Sequence, residues 1–574
     1  MKKIFITIIY SIALLLGLSS CSDLLDKEPL TEIGEGAVWS DPALAEAYVN
    51  ARYNQIHSGW YDEPWISSLT DESYMTWSRG CEPITQGYVS PSELGSVNWG
   101  LRAWSVVWQN IADCNLFFEK IDEVTFREES QKTQLVGQVR FIRALCYHDL
   151  VSRWGGMPLI TKRFTLNERE EALNVTRSGY KECIDFIVSE LDKAIQELPN
   201  AYDAKSKGRA TRIAALALKA RVLLYAASDL MNVGVKDEKL GYTSPDPQRW
   251  TKAAEAAAIC INEALGNGYA LYDEYGDDVK TKYIQLFLEG GNAEILFDKQ
   301  HGASSVGYYV QIDQVNGPNG YAGWGGNTPT DEMACAFENA DGTIFSWEKW
   351  KAAGGNTNPW ANRDQRLYAT VLADGDYFKY RELETFIDVD QSGTELSSGG
   401  RDTKFGIESH NTSITGYNMR KFIDENYKDG SWQFASKNWP ILRLTEQYLN
   451  LAEAHYMAGD EAGAKEALNV IRRRARMPEV KATGQELIGR IQNERRVELC
   501  FEEHRYFDVR RWKLGEALLN TPATGVLVHK WPDGRKTYTP GIIAEHRKFV
   551  ERMYWLPIPQ DEIDKSVLEQ NPGY

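Results

Sequence analysis

LAEAHYMAGDEAGAKEALNVIRRR, residues 451–474, contains two runs of small and apolar residues at helical spacing, separated by glycine and aspartate. The spacing predicts one helix over 448–457 and a second over 462–474, with a turn at Gly459-Asp460. Alanines at the positions where two helices cross, with so short a turn between them, are typical of tetratricopeptide helix pairs. The sequence therefore predicts packed helix pairs as the scaffold.

Similar periodic patterns occur throughout the N-terminal half. They predict helices over residues 42–56, 101–121, 131–151, 180–198, 211–230 and 249–265. Asp41 can cap the first of these helices, with Pro42 at its first position. The last two are rich in alanine at helix-contact spacing and form a second predicted pair.

The spacing between helix pairs is irregular, which argues against a regular solenoid. We expect a mainly α fold, with a helical scaffold mainly over 42–265 and 439–515 and a loop-rich insertion over about 266–438. The insertion is rich in glycine, asparagine, aspartate and aromatic residues, and has short strand-like pieces such as Glu294–Asp298. Residues 21–574 are predicted to form a single domain.

The N-terminus resembles a bacterial lipoprotein signal. Lys2 and Lys3 precede an apolar run, and Leu18-Ser19-Ser20-Cys21 ends a small-residue cleavage site in cysteine. The run is shorter than the roughly 20 residues of a membrane-spanning helix, and a plain secretory signal does not account for the cysteine. This resemblance implies a signal peptide over 1–20 and a lipid anchor on Cys21, where several acyl chains would hold the protein stably on a membrane.

Charge and cysteine content exclude several classes of protein. The formal net charge is −17, or −17 − 2 = −19 once Lys2 and Lys3 are removed, which argues against nucleic acid and against electrostatic docking on anionic lipid. The chain has eight cysteines, one of which is Cys21. The others are odd in number and widely scattered, and no C-x-x-C pair occurs. We expect the cysteines within helical patterns to be small buried hydrophobes, namely Cys146, Cys183, Cys260 and Cys500.

Acidic and basic residues alternate at helical spacing over 493–498 and 502–505. We expect these residues to form ion pairs of modest value on a helix face. An alternative is that Glu498 or Glu502 is a catalytic acid or base, but the dense arginines would hold such carboxylates ionised and no nucleophile partner is evident. Phosphate-binding, dinucleotide-binding, G-x-S-x-G and H-E-x-x-H motifs are absent from the sequence.

Four further segments point to one family. They are VRFIRALCY at 139–147 leading to WGGMPL at 154–159, TGYNMRKF at 415–422, NERRVEL at 493–499 leading to RYFDVRRW at 505–512, and LPIP at 556–559 with QNPGY at 570–574. Together with the N-terminal signal they resemble the SusD/RagB family of Bacteroidetes surface lipoproteins. The resemblance covers essentially the whole mature chain. It implies four tetratricopeptide-like pairs and an outer-membrane protein, facing the cell exterior, that captures glycans or in some cases peptides for a SusC-like TonB-dependent transporter.

Capture of a glycan needs flat apolar faces for the sugar rings and fixed polar groups for the hydroxyls. Two loop regions supply candidates. In the first, residues 69–99, the resemblance implies a contribution to the glycan face, with Asp71, Arg79 and Asn98 as hydroxyl partners and Trp77 or Trp99 as a platform. In the second, the candidates are Tyr308, Tyr309 and Trp324. Because Trp324 has glycines on both sides, little local packing is available to cover its ring.

Two acidic turns, Asp374-Gly375-Asp376 and residues 390–395, have oxygen ligands that suit calcium, but neither fits a full calcium-binding loop. Solvated turns are the better interpretation, and we predict no metal and no cofactor.

We therefore expect a non-enzymatic glycan-binding surface lipoprotein. Binding of a peptide or glycoprotein nutrient, a lipid-anchored glycoside hydrolase, and a transporter lid without ligand affinity remain alternatives. A hydrolase would need two carboxylates at a defined separation, which sequence spacing does not reveal. Which glycan is bound, its linkages and the transporter contacts are likewise not encoded in any spacing.

Overall fold

The computed structural model describes residues 38–56, 65–94, 101, 104–301, 312–430 and 437–574. The predicted helices form with bounds shifted by a few residues. The longer helices are α1 Pro42–Asn54, α2 Trp104–Lys120, α3 Glu129–Trp154, α4 Tyr180–Glu197, α5 Arg212–Ala227, α6 Gln248–Gly266, α7 Val279–Leu288, α8 Leu444–Met457, α9 Glu461–Arg474, α10 Gly484–Glu498 and α11 His504–Arg511. Asp41 caps α1 as predicted, because its carboxylate accepts the Ala43 N–H at 2.8 Å.

Shorter helices occupy the connections. They are Glu82–Thr85, Arg169–Leu173, Asp229–Asn232, Ile312–Asn316, Asp331–Ala336, Trp347–Ala352, Gln365–Thr370, Gly515–Leu518 and Gln560–Lys565. Several of them lie in the insertion, where they alternate with short strands.

The scaffold is a continuous row of helices. α3 packs on α4, α4 on α5, and α5 on α6, and α6 then packs on α8 although the whole insertion separates them in sequence. Buried alanines line these crossings, including Ala220, Ala257 and Ala454. Small side chains let the helix backbones approach closely, so the mainly α fold with tetratricopeptide-like pairs is confirmed.

The strands are short, apart from one hairpin. They are β1 Ser73–Met75, β2 Ile295–Lys299, β3 Asn327–Pro329, β4 Val371–Leu372, β5 Tyr377–Phe378, β6 Arg381–Glu382, β7 Phe386–Val389, β8 Glu395–Gly399, β9 Asn418–Met419, β10 Trp439–Arg443, β11 Ala523–Lys530 and β12 Lys536–Glu545. Within the described chain, one sheet has four strands in the order β12-β11-β7-β8, and the other four sheets each have two. The β11–β12 hairpin lies outside the predicted scaffold, and its parallel pairing with β7 attaches it to the insertion.

No disulfide joins the cysteines of the described chain. The four that were predicted to be buried, Cys146, Cys183, Cys260 and Cys500, are buried, whereas Cys335 in the helix Asp331–Ala336 is partly exposed. Among the described residues, no helix combines the length and apolarity needed to cross a bilayer.

The prediction of ion pairs of modest value on a helix face does not describe the 493–505 motif, whose pairs are buried between segments. Glu498 at the end of α10 has a side chain with no solvent exposure. Its Oε2 accepts hydrogen bonds from Tyr283 at 2.8 Å and Arg366 at 3.0 Å, and its Oε1 accepts one from Arg474. Glu502 is also buried and pairs with Arg443 at 2.7 Å. These pairs belong to a buried network that joins the scaffold to the insertion.

The same network argues against catalysis by these carboxylates. Burial alone would raise the pKa of Glu498, but Arg474, Arg443 and Arg366 outweigh it and lower the pKa to about 2. Glu498 is therefore ionised, as the arginine-rich motif indicated, and its side chain is not exposed to solvent.

Candidate functional site

Two strands from distant parts of the chain bring the two predicted platform tryptophans together. β1 pairs with β3 in antiparallel register, with Met75 opposite Asn327. The pairing continues beyond the strands, because the Thr76 N–H donates to the Gly326 carbonyl at 2.9 Å and the Thr76 hydroxyl donates to the Gly325 carbonyl. Trp77 follows β1 and Trp324 precedes β3, so the two side chains lie at the same end of the pair.

The rings of Trp77 and Trp324 form the centre of the candidate site. Their centroids are 5.9 Å apart with an interplanar angle of 78°, an edge-to-face contact that fixes both rings. Both side chains are partly exposed. The Arg79 guanidinium lies 5.3 Å from the centroid of Trp77, within cation–π range. We call Trp77, Arg79 and Trp324 the tryptophan platform.

The backbone beside the platform is strained. Ser78 has φ of 27° and Arg79 has φ of 44°, both in the left-handed region that residues other than glycine rarely adopt. Two such residues in succession turn the chain sharply after Trp77. Strain of this kind occurs often at ligand-binding sites.

The glycines beside Trp324 are required by close packing of the backbone. A Cβ on Gly323 would lie 2.2 Å from the Gly317 carbonyl oxygen, and one on Gly325 would lie 2.8 Å from the Asn411 carbonyl oxygen. The Trp324 N–H donates to the Gln314 carbonyl at 2.8 Å. The loop is thus folded tightly on itself and presents the Trp324 ring at its edge.

Replacing Gly323 by alanine is expected to lower the free energy of unfolding by about 1–3 kcal/mol, because the added methyl group clashes with backbone. Denaturant unfolding measures the loss. Gly489→Ala is the matched control, since a Cβ there meets nothing within 4 Å and alanine favours the helix that contains it. Equal stability of the Gly323→Ala variant and the parent protein would contradict the packing described here.

Asp71, predicted to contact hydroxyls, lies beneath the platform instead of on it. Its carboxylate is buried and accepts two hydrogen bonds from Arg505, each of 2.8 Å, and Arg496 lies 3.0 Å away. Burial would raise the pKa of Asp71, but Arg496 and Arg505 lower it well below its usual range. Asp71 therefore anchors the loop to α10 and α11, and it is not one of the proposed ligand contacts.

Glu72, the next residue, is also buried, but its neighbours offset less of the cost of burying a charged carboxylate. Its Oε2 accepts the Phe501 N–H at 3.2 Å, and its Oε1 is a buried atom that has no hydrogen-bond partner among the described residues. Burial raises the pKa of Glu72 to about 8, against the opposing effect of Arg505. Glu72 is therefore neutral in the folded protein at neutral pH, whereas in the unfolded chain it is ionised.

This difference predicts a pH dependence that Glu72→Gln removes. A folded pKa of about 8 against the ordinary value of 4.5 gives stability that is fully present below pH 4.5 and lost as the pH rises through 8. From pH 5 to 8 the parent should lose up to about 3 kcal/mol that the glutamine variant retains. Thermal unfolding of both proteins across this range measures the difference, and parallel pH profiles would count against it.

Several predicted site residues lie outside the described residues. They are Asn98, Trp99, Tyr308 and Tyr309, together with the anchor Cys21. Their assignments remain predictions.

Tyr380 is an exposed aromatic residue near the platform that the sequence analysis missed. It lies between β5 and β6, is 61% exposed, and donates its hydroxyl to Asp429 at 2.6 Å. Its ring packs 5.2 Å from that of Tyr321, three residues before Trp324. The sequence signal is a cluster of three aromatic residues, Tyr377, Phe378 and Tyr380, shortly after Gly375.

The two acidic turns are occupied by internal contacts. Asp390 accepts hydrogen bonds from the N–H groups of Ser392 and Thr394, and Asp374 pairs with Lys536 at 2.5 Å. Among the described residues, no group of three or more histidine, cysteine, aspartate or glutamate side chains is placed to hold a metal ion. The absence of a metal stays a prediction.

Comparisons with known proteins agree along the chain. Residues 293–574 match the family model described as "SusD family", and residues 24–224 match one described as "Starch-binding associating with outer membrane". A SusD-like protein of Bacteroides fragilis is 31% identical, with a TM-score of 0.75 and coverage of 96% of this chain and 100% of that one. SusD-like protein P38 of Formosa agariphila is 23% identical over 89% of this chain and 91% of its own length. A solved laminarin-binding SusD-like protein is 22% identical, with a TM-score of 0.63 and coverage of 93% of this chain and 100% of its own, and so shares the fold.

Proposed function

The chain belongs to the SusD family, and on that premise we propose that it is a glycan-binding lipoprotein of the cell surface. It captures oligosaccharide or polysaccharide without cleaving it and delivers it to a SusC-like TonB-dependent transporter in the outer membrane. A lipid on Cys21 holds it there. The outer-membrane association in one matching family description and the carbohydrate named for solved relatives support the location and the ligand class.

The observation that carries this proposal is the tryptophan platform. Two partly exposed indole rings, held in contact by a strand pair, offer apolar faces to sugar rings, while Arg79 beside them donates hydrogen bonds to hydroxyls. Burying about 100 Å² of apolar surface on one ring contributes roughly 2.5 kcal/mol before the costs of association. Two such rings correspond to millimolar to micromolar affinity, which suits a protein that passes its ligand on.

Tyr380 extends the surface available to a longer chain. Its hydroxyl bond to Asp429 holds an exposed ring in one orientation, which lowers the entropy lost on binding. Exposed aromatics at Trp77 and Trp324 also weigh against a transporter lid without ligand affinity. The enclosed carboxylates of the 493–505 motif weigh against hydrolysis by those residues.

Calorimetric titration of residues 22–574 against laminarin, starch and a panel of fungal and host polysaccharides tests the proposal, with reducing-sugar release assayed in each mixture. Binding without release supports capture. Release of reducing sugar overturns the non-enzymatic assignment, and silence across the panel overturns glycan capture. A peptide panel titrated in parallel tests the nutrient alternative.

A further inference from the structure

A cavity of about 470 Å³ lies beside the tryptophan platform, and Ser78, the residue that follows Trp77, is part of its lining. Tyr74 and Ser78 line one side of it, and the short helix that begins at Glu82 lines another. The strap of residues 544–548, formed by the last two residues of β12 and the three that follow, closes the third side. Its volume lies in the range of about 300–1,000 Å³ found for small-molecule sites. We call it the Tyr74 cavity.

The strap is fixed in place by buried bonds. Arg547 is buried and donates to Glu545 at 2.9 Å and to the Ser73 carbonyl at 2.8 Å. The Thr85 hydroxyl donates to the other Glu545 oxygen at 2.7 Å, and the Lys548 N–H donates to the Thr85 carbonyl at 2.8 Å. These bonds join the strap to both other walls, so the cavity is formed before any ligand enters.

Two polar groups on the cavity wall take no part in these hydrogen bonds. Within the described part of the chain, no hydrogen bond is made by the Tyr74 hydroxyl or the Glu82 carboxylate, although both side chains line the cavity and are only partly exposed. Burial, followed by the nearby Glu545 and Glu82 carboxylates, raises the pKa of Tyr74. The wall thus offers one neutral donor and one acceptor, the pair that a sugar hydroxyl can satisfy.

The formal charges of the lining cancel. Glu82 and Glu545 oppose Arg547 and Lys548, and one ion pair already joins Glu545 to Arg547. With no net charge, the lining gives neither an anionic nor a cationic sugar an overall attraction that would offset the cost of removing its charge from water. The lining therefore favours an uncharged polyhydroxylated ligand over a charged one.

We propose that the Tyr74 cavity is a subsite for one uncharged sugar unit, a branch or a chain end, of a glycan whose other units lie on the tryptophan platform. This inference rests on the proposed function and narrows it to neutral glycans that carry a free branch or terminus. Tyr74 donates to a ring hydroxyl, Glu82 accepts from one, and Ser78 lies at the junction with the platform.

The test uses monosaccharides, which are too small to need the platform. Saturation-transfer NMR titrations of glucose, galactose, mannose, glucuronate and glucosamine are run on the parent protein, Trp324→Ala, Tyr74→Phe and Glu82→Gln. Tyr88→Phe and Glu170→Gln are matched controls, because these exposed side chains lie outside the cavity. Denaturant unfolding confirms that each variant is folded.

We expect at least one neutral sugar to bind, to keep its affinity in Trp324→Ala, and to lose about tenfold in Tyr74→Phe or Glu82→Gln. Phenylalanine removes one hydrogen bond, and glutamine removes the charge that strengthens the other. Glucuronate and glucosamine should bind at least tenfold more weakly. Absence of neutral monosaccharide binding, unchanged affinity in both cavity variants, or a charged sugar that binds as tightly would overturn the subsite. Failure of the proposed function is a separate result, since the parent protein would then bind no polysaccharide in calorimetry.

Discussion

Alanine in place of Glu498 is expected to lower the free energy of unfolding by about 3–5 kcal/mol, the cost of removing one partner from a buried ion pair. The side chains of Arg366, Arg443 and Arg474 are at most 3% exposed and lie around this carboxylate. They keep other partners, including Glu294, but without Glu498 one positive charge remains buried without compensation. Urea unfolding followed by tryptophan fluorescence measures the loss.

Glu466→Ala is the matched control for this experiment. Glu466 pairs with Arg473 at 2.7 Å, but the two side chains are 71% and 47% exposed. Its removal should cost less than about 1 kcal/mol. If Glu498→Ala does not fold, Glu498→Gln keeps the shape and removes only the charge, and we expect it to be folded but destabilised. A loss below 1 kcal/mol in Glu498→Ala would mean that the network does not hold the scaffold to the insertion.

The pH dependence of the same residue has a definite sign. Because the folded pKa of Glu498 is about 2 against the ordinary 4.5, its contribution is present above pH 4.5 and is lost as the pH falls toward 2. Glu498 makes stability fall as the pH drops below 4.5, whereas Glu72 makes it fall as the pH rises from 4.5 to 8. The two variants can therefore be assessed independently.

Substituting alanine for Trp77 or Trp324 is expected to weaken binding of the best polysaccharide by at least about tenfold, since each ring contributes roughly 2.5 kcal/mol of apolar contact before association costs. The two rings support each other at 5.9 Å. The double variant should therefore lose less than the product of the two single effects. Calorimetry of the three variants measures both quantities.

Trp531→Ala is the matched control for the platform. Trp531 also lies in a turn, is partly exposed, and has an arginine over its ring, with Arg535 at 3.8 Å. It lies at the end of the β11–β12 hairpin, outside the platform, so its substitution should leave affinity unchanged. Full affinity in both Trp77→Ala and Trp324→Ala would move the site away from the platform.

Local patterns predicted the scaffold closely because each helix carries its own signal. The α1 cap at Asp41 and the alanines of α8 depend only on neighbouring residues, and the structure places them as expected. The partial exposure of Trp324 was likewise predicted, because the glycines on both sides of it offer little local packing for its ring. These patterns did not predict which charged residues are buried. Glu498 has charged neighbours in sequence, as surface residues do, yet it is enclosed by residues from four separate segments.

The amino-acid sequence by itself determined the helical scaffold, the position of the insertion and the family resemblance, since periodicity, capping and short motifs are properties of consecutive residues. Only the tertiary structure decided which candidate residues meet. Trp77 and Trp324 flank two paired strands and are brought together by contacts such as that of Thr76 with Gly325, 249 residues apart in sequence. Asp71, which precedes β1, turns inward to Arg505. Strand pairing and charge burial depend on contacts between segments far apart in the chain, and the spacing of neighbouring residues does not predict such contacts.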